Sequence, residues 1–392
     1  MGPVTAPDAA RDAVVQVGLA AGLAAVGVAG AEPFATERAT IEQRRADGLH
    51  GGMQFTFRNP ARSTEPEQAL PGARALVVGA LPYGGAPPAP PSAPAVGRVA
   101  RYATEDRYAE LRRALGEVAD HLRADGWRTR LLVDDNALVD RAAATRAGIG
   151  WWGRSTMVLV PGHGPWVLLG SVLTDAPLAP SPDAVPDGCG SCRRCLDGCP
   201  TGALVASGVL DARRCLAWLL QDTGAFPRHQ RIALGDRLYG CDECQDVCPP
   251  GRRVSIGPLP SARRDAVGPW VDVVAMLDLD DDELLDRYGR WYVPRRQPRY
   301  LRRNALVVLG NVGDGTDPTV HRCLVDHLAH PDPLVRAHAV WAARRLGLDD
   351  VVADAVVDDP DPDVRAELAA PPPPPAPGRR RRADDAWAGP GR

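Results

Sequence analysis

The arrangement of cysteine residues constrains this chain more than any other feature of its sequence. Eight of the nine cysteines lie between Cys189 and Cys248, and the first four of them form the pattern C-x2-C-x2-C-x3-C-P. A second run, C-x2-C-x3-C-P, begins at Cys241, and Cys215 lies alone between the two runs. Because clustered spacing of this kind in a long chain favours metal binding over a disulfide framework, the segment is predicted to bind metal.

The spacing is typical of a ferredoxin-like segment that binds two 4Fe–4S clusters. Three thiolates of such a run bind one cube, and the fourth cysteine, which precedes a proline, binds the other cube. The second run has one cysteine fewer, so we expect Cys215 to supply the missing ligand. The ligands predicted for one cluster are Cys189, Cys192, Cys195 and Cys248. The ligands predicted for the other are Cys199, Cys215, Cys241 and Cys244.

Two structural zinc sites with cysteine ligands are the alternative, because paired C-x2-C spacing also serves zinc. The interlocked Cys-Pro endings favour iron–sulfur clusters. The remaining cysteine, Cys323, lies in an amphipathic helical segment and is interpreted as a small buried apolar residue. Iron–sulfur cubes carry single electrons, so the chain needs a further group that receives them.

Hydrophobic periodicity predicts a multidomain α+β protein. Residues 1–178 are predicted to form an α/β domain with strands at Ala75–Leu81, Thr156–Val160 and Val167–Leu173 and an amphipathic helix at Tyr108–Asp125. A Pro-rich stretch then leads into the ferredoxin-like cysteine domain, predicted at residues 179–256.

The C-terminal part of the chain contains an internal echo. The segment Pro331–Ala337 is repeated at Pro360–Ala366, which predicts HEAT-like helical repeats over residues 257–370. The remainder, 371–392, is rich in Pro and Arg and is predicted to be a disordered tail.

Length, composition and net charge limit the kind of protein and its partners. With 392 residues, 45% of them hydrophobic, the chain is long enough for two or three globular domains. Its formal net charge of −3 gives no general attraction to nucleic acid, so an RNA contact requires a local basic patch. No basic stretch precedes the first apolar segment, so we expect neither a signal peptide nor a membrane span and predict a cytoplasmic protein. We also expect the protein to be a monomer.

No short motif identifies the electron acceptor. Neither a G-x-G-x-x-G fingerprint after a strand nor a Walker loop occurs, so neither a nicotinamide dinucleotide nor ATP has a recognisable site. A flavin or a corrin held by backbone and apolar contacts would leave no such motif. The residues alone therefore leave the acceptor open.

The order of these domains resembles that of the epoxyqueuosine reductases. The resemblance rests on Val133-Asp134, Arg141–Gly150, Cys199–Leu204 and Gly240–Pro249, and it extends over most of the chain. This sequence departs from the family pattern at Arg154-Ser155, where Lys-Asn is usual. The resemblance implies a cobalamin-dependent, double 4Fe–4S enzyme that reduces epoxyqueuosine to queuosine at the wobble position of tRNA. It also implies that the enzyme binds the anticodon stem-loop and takes electrons from an external donor such as ferredoxin or flavodoxin.

The resemblance further implies that Asp134 donates the proton that the reaction requires. A desolvated carboxyl group beside a corrin and beside Asp135 is expected to have a raised pKa. The residues also allow a simpler interpretation, in which Asp134-Asp135-Asn136 caps the following helix. The implied cobalamin contacts are Arg62, Ala100, Asp134, Val158, Leu169 and Ala217.

A basic run that follows Trp291 and Tyr292 is the strongest candidate for RNA binding. Arginines bind phosphates and aromatic rings stack on unpaired bases. The predicted RNA-binding residues are Arg295, Arg296, Arg299 and Arg302. A solvated helix start is the alternative interpretation.

Two further functions stay open at this point. One is a cobalamin and iron–sulfur reductase that acts on a small molecule, as reductive dehalogenases do. The other is an electron-transfer protein that performs no bond chemistry and only docks a partner.

Overall fold

The computed structural model describes residues 6–182, 184–253, 267–356 and 358–376. The strands found there are β1 (Ala25–Gly30), β2 (Ala75–Pro82), β3 (Val96–Val99), β4 (Thr129–Leu132), β5 (Trp151–Trp152), β6 (Val158–Leu159), β7 (Val167–Thr174), β8 (Leu204–Ala206), β9 (Val209–Leu210), β10 (Arg237–Tyr239) and β11 (Trp270–Asp272). The helices up to Leu219 are α1 (Pro7–Ala20), α2 (Ala35–Ala46), α3 (Pro60–Thr64), α4 (Pro66–Ala69), α5 (Arg107–Ala124), α6 (Asp140–Arg146), α7 (Arg194–Asp197) and α8 (Leu216–Leu219). The later helices are α9 (Arg231–Leu234), α10 (Glu243–Asp246), α11 (Pro249–Arg253), α12 (Val273–Leu277), α13 (Asp281–Tyr288), α14 (Pro298–Val312), α15 (Pro318–Leu328), α16 (Pro333–Arg345), α17 (Asp349–Val356) and α18 (Pro362–Ala369). Among these helices none is both long and apolar enough to cross a membrane.

Residue contacts divide the chain into two compact units. Unit 1 comprises Met1–Pro88, Ala100–Leu219 and Gly240–Pro269. Unit 2 comprises Ala89–Val99, Leu220–Tyr239 and Trp270–Arg392. The predicted domains 1–178 and 179–256 thus share unit 1, apart from two short segments. These segments join unit 2 because they supply β3 and β10, which pair in one sheet with β11.

The central sheet of unit 1 has the strand order β1-β2-β7-β4. Each of its pairings is antiparallel, with Val77 of β2 opposite Val172 of β7. The strands predicted at Ala75–Leu81 and Val167–Leu173 are confirmed. The strand predicted at Thr156–Val160 is shorter, because Val158–Leu159 pairs as β6 with β5 and Val160 forms only an isolated bridge with Gly164.

Apolar side chains cover both faces of this sheet. Alternate residues of a strand point to opposite faces, so Val77 packs in one cluster with Leu115 of α5, whereas Leu76 packs in another with Ala143 of α6. A strand covered on both sides reads as a continuous apolar run, which is why β2 is buried along nearly its whole length. Each such buried side chain contributes about 1.5–3 kcal/mol to stability.

The helical repeats of unit 2 begin with the same device. Asp317, Asp332 and Asp361 precede α15, α16 and α18, and each carboxylate accepts a hydrogen bond from a backbone N–H two residues later, at 2.8, 2.9 and 2.9 Å. A proline follows each aspartate, at the first helical position, where the missing N–H costs nothing. The Asp-Pro echo seen in the sequence therefore marks helix starts, as predicted.

The tail predicted to be disordered from residue 371 contacts unit 2 at its beginning. The Pro371 carbonyl oxygen accepts a hydrogen bond from Arg228, and the Ala376 N–H donates to the Arg345 carbonyl oxygen at 3.0 Å. Prolines leave their carbonyl groups free to accept such bonds. The rest of the predicted tail, 377–392, lies outside the described residues.

The second cysteine run approaches the rest of unit 1 closely at Gly240. This residue has φ of +71°, and a Cβ atom placed there would lie 2.5 Å from the Cβ of Ala100. We therefore predict that Gly240→Ala lowers the free energy of unfolding by about 2 kcal/mol or more, since it adds left-handed strain to the steric overlap. The measurement is the thermal midpoint of unfolding.

Gly116→Ala is the matched control. Gly116 lies inside α5 with nothing within 4 Å of an added Cβ, so this change is expected to raise the midpoint, because alanine favours a helix by about 1 kcal/mol over glycine. Equal midpoints for the two variants would contradict the close approach at Gly240.

Candidate active site

The first cysteine run lies on a turn that leads into α7. The Cys189 N–H donates to Asp187 at 2.8 Å, and the Cys192 N–H donates to the Cys189 carbonyl oxygen at 2.9 Å. The loop is largely exposed, and the cysteines themselves are half-buried. The local backbone thus bends tightly enough to turn neighbouring thiols towards one another.

A buried polar network anchors the second cysteine run to the α/β part of unit 1. The Tyr83 hydroxyl donates to Gln245 at 2.7 Å, and the Arg101 N–H donates to Asp242 at 2.9 Å. The Trp166 indole N–H donates to the Gly251 carbonyl oxygen at 3.2 Å. Sequence reasoning missed this network, because its members lie far apart in the chain and match no short motif.

The thiols predicted as ligands of the first cluster lie near one another. Burial raises the pKa of the Cys195 thiol, and Cys189 and Cys192 raise it further. Burial likewise raises the pKa of Cys248 to about 11, with the same three cysteines adding to the shift. Cys248 therefore returns from the second run to the first group, in the arrangement that the sequence predicts for cluster ligands.

The thiols predicted for the second cluster form a separate group. Burial raises the pKa of Cys244 well above its ordinary value, and Cys241, Cys215 and Cys199 each raise it further. The pKa of Cys215 is raised mainly by burial and also by Cys199. In the described part of the chain no three His, Cys, Asp or Glu side chains are arranged to hold a single metal ion. The two groups of thiols match the donor set that two cubes require.

Asp134 lies in the loop between β4 and α6 with a left-handed φ of +53°. The residue is exposed, yet partial desolvation raises its pKa, and the nearby Asp135 carboxylate adds to this rise against the opposing charge of Arg112. Helix α6 begins at Asp140, and no side chain caps it. The capping alternative therefore fails for Asp134, and the raised pKa has the direction that an acid needs.

Sequence reasoning missed two ionisable groups close to Asp134. Asp140 is half-buried, and burial raises its pKa to about 8, with Asp134 and Asp135 adding to the rise and Arg141 opposing it. The pKa of Tyr108 is raised by burial and then by Asp134. Asp140 directly precedes Arg141–Gly150, a segment that resembles the reductase family, and this position was the sign of it in the sequence.

The six predicted cobalamin contacts differ in exposure. Ala100 and Val158 are 5% and 2% exposed, so they have little surface of their own for a corrin and can act only by packing behind the residues that contact it. Arg62, Leu169 and Ala217 keep accessible surface that a corrin could cover, as Asp134 does. Of these residues, Val158 and Leu169 pack in the same apolar cluster. The combination of apolar surface and one acid fits a cobalamin. The six individual cobalamin contacts stay predictions.

The predicted RNA-binding arginines have different environments. Arg295 and Arg296 are exposed and adopt left-handed φ angles of 54° and 53°. Arg299 is half-buried and pairs with Asp332 at 3.1 Å. Arg302 is only 6% exposed, because its guanidinium binds Asp281 and two carbonyl oxygens. Arg302 therefore supports the helix rather than presenting its charge to a ligand.

The two aromatic residues before this run also differ. Tyr292 is 61% exposed, whereas Trp291 is 2% exposed and stacks on Tyr239 with ring centroids 4.8 Å apart. Tyr292 alone of this pair is available to an unpaired base.

Known protein families match two segments of the chain. The family described as "4Fe-4S double cluster binding domain" matches residues 188–251, which confirms the predicted pair of clusters over the zinc alternative. The family described as "HEAT repeats" matches residues 294–370.

Relatives named epoxyqueuosine reductase match most of the chain. The relative from Bacillus cereus is 30% identical over 342 residues, which cover 84% of this chain and 87% of the relative. The relative from Xanthomonas campestris is 32% identical, with coverages of 84% and 94%. A crystal structure of epoxyqueuosine reductase with an epoxyqueuosine-modified tRNA-Tyr stem loop superposes with a TM-score of 0.83 at 28% identity, covering 91% of this chain and 96% of that one. The epoxyqueuosine reductase of Streptococcus thermophilus gives a TM-score of 0.82 at 26% identity, with the same coverages.

The raised pKa of Asp140 predicts a pH dependence of stability. The folded state keeps a proton up to about pH 8, whereas an ordinary aspartate loses it near 3.8. Stability from this group is therefore present below the ordinary pKa and is lost as the pH rises towards the folded value. The thermal midpoint of unfolding should therefore fall for the wild-type protein between about pH 5 and about pH 8. We expect it to fall less for Asp140→Asn, because asparagine cannot ionise.

Asp120→Asn is the control, because the Asp120 side chain is 75% exposed beside Arg123. It should follow the wild-type curve. A wild-type midpoint that rises over this pH range relative to Asp140→Asn would contradict the assignment.

Proposed function

Because the chain belongs to the epoxyqueuosine reductase family, whose members are oxidoreductases, we propose that it reduces epoxyqueuosine to queuosine at the wobble position of tRNA. The observation that carries this proposal is that residues 188–251, which match a double 4Fe–4S cluster domain, belong to the same unit as Asp134. The reaction removes the epoxide oxygen as water and consumes two electrons and two protons. Its demands are therefore an electron path, a proton donor and a site for RNA.

The proposed cluster ligands follow the two groups of thiols. Cys189, Cys192, Cys195 and Cys248 would hold one cube, and Cys199, Cys215, Cys241 and Cys244 the other. The residues that flank Cys189, Cys192 and Cys195 are largely exposed, whereas Leu216, Asp242 and Gln245, which flank Cys215 and Cys244, are buried. We call Cys189, Cys192, Cys195 and Cys248 the exposed group because of the exposed residues around its first three members. We assign it as the entry point for electrons from an external donor such as a ferredoxin or flavodoxin.

We propose cobalamin as the group that receives these electrons, held over Arg62, Leu169 and Ala217. When bound, it supplies a cobalt centre of low valence that can act on the epoxide. The apolar cluster that contains Leu169 would exclude water from one face. The Arg62 guanidinium lies 3.8 Å from the Asp135 carboxylate, so Arg62 lies beside the loop that carries Asp134.

Asp134 is proposed as the proton donor. Its raised pKa keeps part of the population protonated nearer neutral pH than an ordinary aspartate would be. One solved relative, from Bacillus subtilis, is described with an aspartate-bearing catalytic loop swung out of the active site. A loop of this kind, held by a left-handed residue, can carry the acid towards the epoxide oxygen, which leaves as water.

The RNA contact is proposed to involve the exposed Arg295 and Arg296 and the ring of Tyr292. Two successive left-handed residues other than glycine cost about 1–2 kcal/mol each, a strain that is often retained at binding sites. Arg299 can join them if it leaves Asp332. Since tRNA is a cytoplasmic substrate, we place the reaction there and propose that a single chain performs it.

Asp134→Asn tests the proposed acid. Loss of the proton donor should reduce turnover by about 10²–10⁴-fold, while iron content and the absorption spectrum of bound cobalamin stay unchanged. The assay is anaerobic incubation with reductant, cobalamin and epoxide-bearing tRNA, followed by mass analysis of the nucleosides. Turnover equal to that of the wild-type enzyme would reject Asp134.

Asp135→Asn is the matched control in the same loop. Asp135 raises the pKa of Asp134, so removing its charge should keep activity but move the loss of activity to a lower pH. A collapse as deep as that of Asp134→Asn would reassign the acid.

A charge reversal tests the RNA contact. Arg295→Glu with Arg296→Glu should weaken binding of the stem loop and flatten its salt dependence by about 0.7 in logarithmic slope for each lost phosphate contact. Arg322→Glu is the control, because Arg322 is 53% exposed in the same unit but already pairs with Asp278. Equal losses from both changes would show only a general effect of charge.

A further inference from the structure

The indole of Trp151 hydrogen bonds to a cysteine of the exposed group. Its N–H lies 3.5 Å from the sulfur of Cys189. In this structure the sulfur belongs to a free thiol, which stands for the thiolate that would bind iron. Trp151 belongs to the segment Gly150–Ser155, which resembles the reductase family but departs from it at Arg154-Ser155, and neither the proton donor nor the RNA contact accounts for it.

The local fold holds this indole rigidly against the cysteine loop. Trp151 lies on β5, which pairs with β6 through Trp151 opposite Leu159. On the other side, a Cβ placed on Gly188 would lie 2.8 Å from the ring of Trp151, so only glycine allows the ring to pack this closely. The donor nitrogen therefore has little freedom to leave the sulfur.

Arg154 fastens the same loop from the next turn. Its guanidinium donates to the Gly190 carbonyl oxygen, one residue beyond Cys189, and its own carbonyl accepts from the Gly208 N–H at 2.9 Å. Arginine reaches this carbonyl where the family usually has lysine, and its planar donor group gives a directed bond. The segment Trp151–Arg154 thus fixes the position of Cys189 as well as donating to it.

We propose that Trp151 tunes the reduction potential of the exposed cluster by donating its indole N–H to the Cys189 thiolate. Reduction adds negative charge to the cube and its sulfurs, and a donor to a ligand sulfur stabilises that charge, which raises the potential. The proposal rests on the proposed function, since it assumes that Cys189 binds a cube. It makes Trp151 a positioning residue that favours uptake of the electron by the entry cluster.

The second group of thiols has a donor set of its own. Cys199 accepts the Ala203 N–H at 3.2 Å and lies 3.7 Å from the Thr201 hydroxyl. These bonds do not involve Trp151, so removing the indole N–H should leave the potential of the other cluster unchanged. The two clusters of one protein thereby provide an internal reference.

The test is a redox titration of the anaerobic, cluster-loaded protein followed by electron paramagnetic resonance. Trp151→Phe keeps an aromatic ring against Gly188 but removes the N–H. We expect one of the two reduction steps to move to a lower potential while the other stays in place and the iron content stays unchanged. Trp152→Phe is the control, because the neighbouring ring is 38% exposed and its change should move neither step.

A second measurement needs no variant at Trp151. Wild-type protein grown with ¹⁵N-indole tryptophan should show a nitrogen coupling to one reduced cluster, and no such coupling would overturn the proposal even if Trp151→Phe failed to fold. Unchanged potentials in a fully loaded Trp151→Phe protein would also overturn it, without touching the proposed function. Wild-type protein that binds no reducible cluster would contradict both.

Discussion

The structure depends on bringing eight thiols from three separate stretches of chain into two groups. The first run can form most of its group through local turns, but it lacks one thiol, which only Cys248 supplies. The network of Tyr83, Arg101 and Trp166 meets this requirement, because it fixes the turn around Cys241–Cys248 to the α/β part of unit 1. Each of these bonds is made by a group with little access to water, where an unpaired partner would cost about 1–3 kcal/mol.

Much of this arrangement could be predicted from the sequence. The cysteine spacing predicted two clusters, which the matched double-cluster family confirms, because the cubes impose such spacing directly on the chain. Apolar periodicity gave β2 and β7, and the Asp-Pro echo gave the helix starts in unit 2. The prediction was less accurate where long-range packing decides, as in the short strand Val158–Leu159.

The arginines show why the sequence could not supply the rest. Arg295, Arg296, Arg302 and Arg303 look alike in one basic run, but the first two are exposed and the last two are buried. Arg303 is fully buried and donates to the carbonyl oxygens of Asp222 and Gly224 at 2.7 and 2.8 Å. A buried guanidinium is stable when carbonyl groups accept its hydrogens, and nothing in the local sequence reveals such acceptors some eighty residues away.

The carboxyl groups around Asp134 connect the fold to the proposed chemistry. Desolvation raises the pKa values of Asp134 and Asp140, and the Asp135 carboxylate adds to both shifts. The proposed proton donor and the proposed cluster ligands thus belong to the same unit of the chain.

The most direct measurement joins the electrons to the product. Enzyme loaded with clusters and cobalamin is reduced, freed of excess reductant and mixed anaerobically with epoxyqueuosine-bearing tRNA, while cluster absorbance and nucleoside mass are followed together. The account predicts that the clusters are reoxidised as queuosine forms, with two electrons lost for each product. Clusters that stay reduced while queuosine accumulates, or that are reoxidised while the epoxide persists, would contradict it.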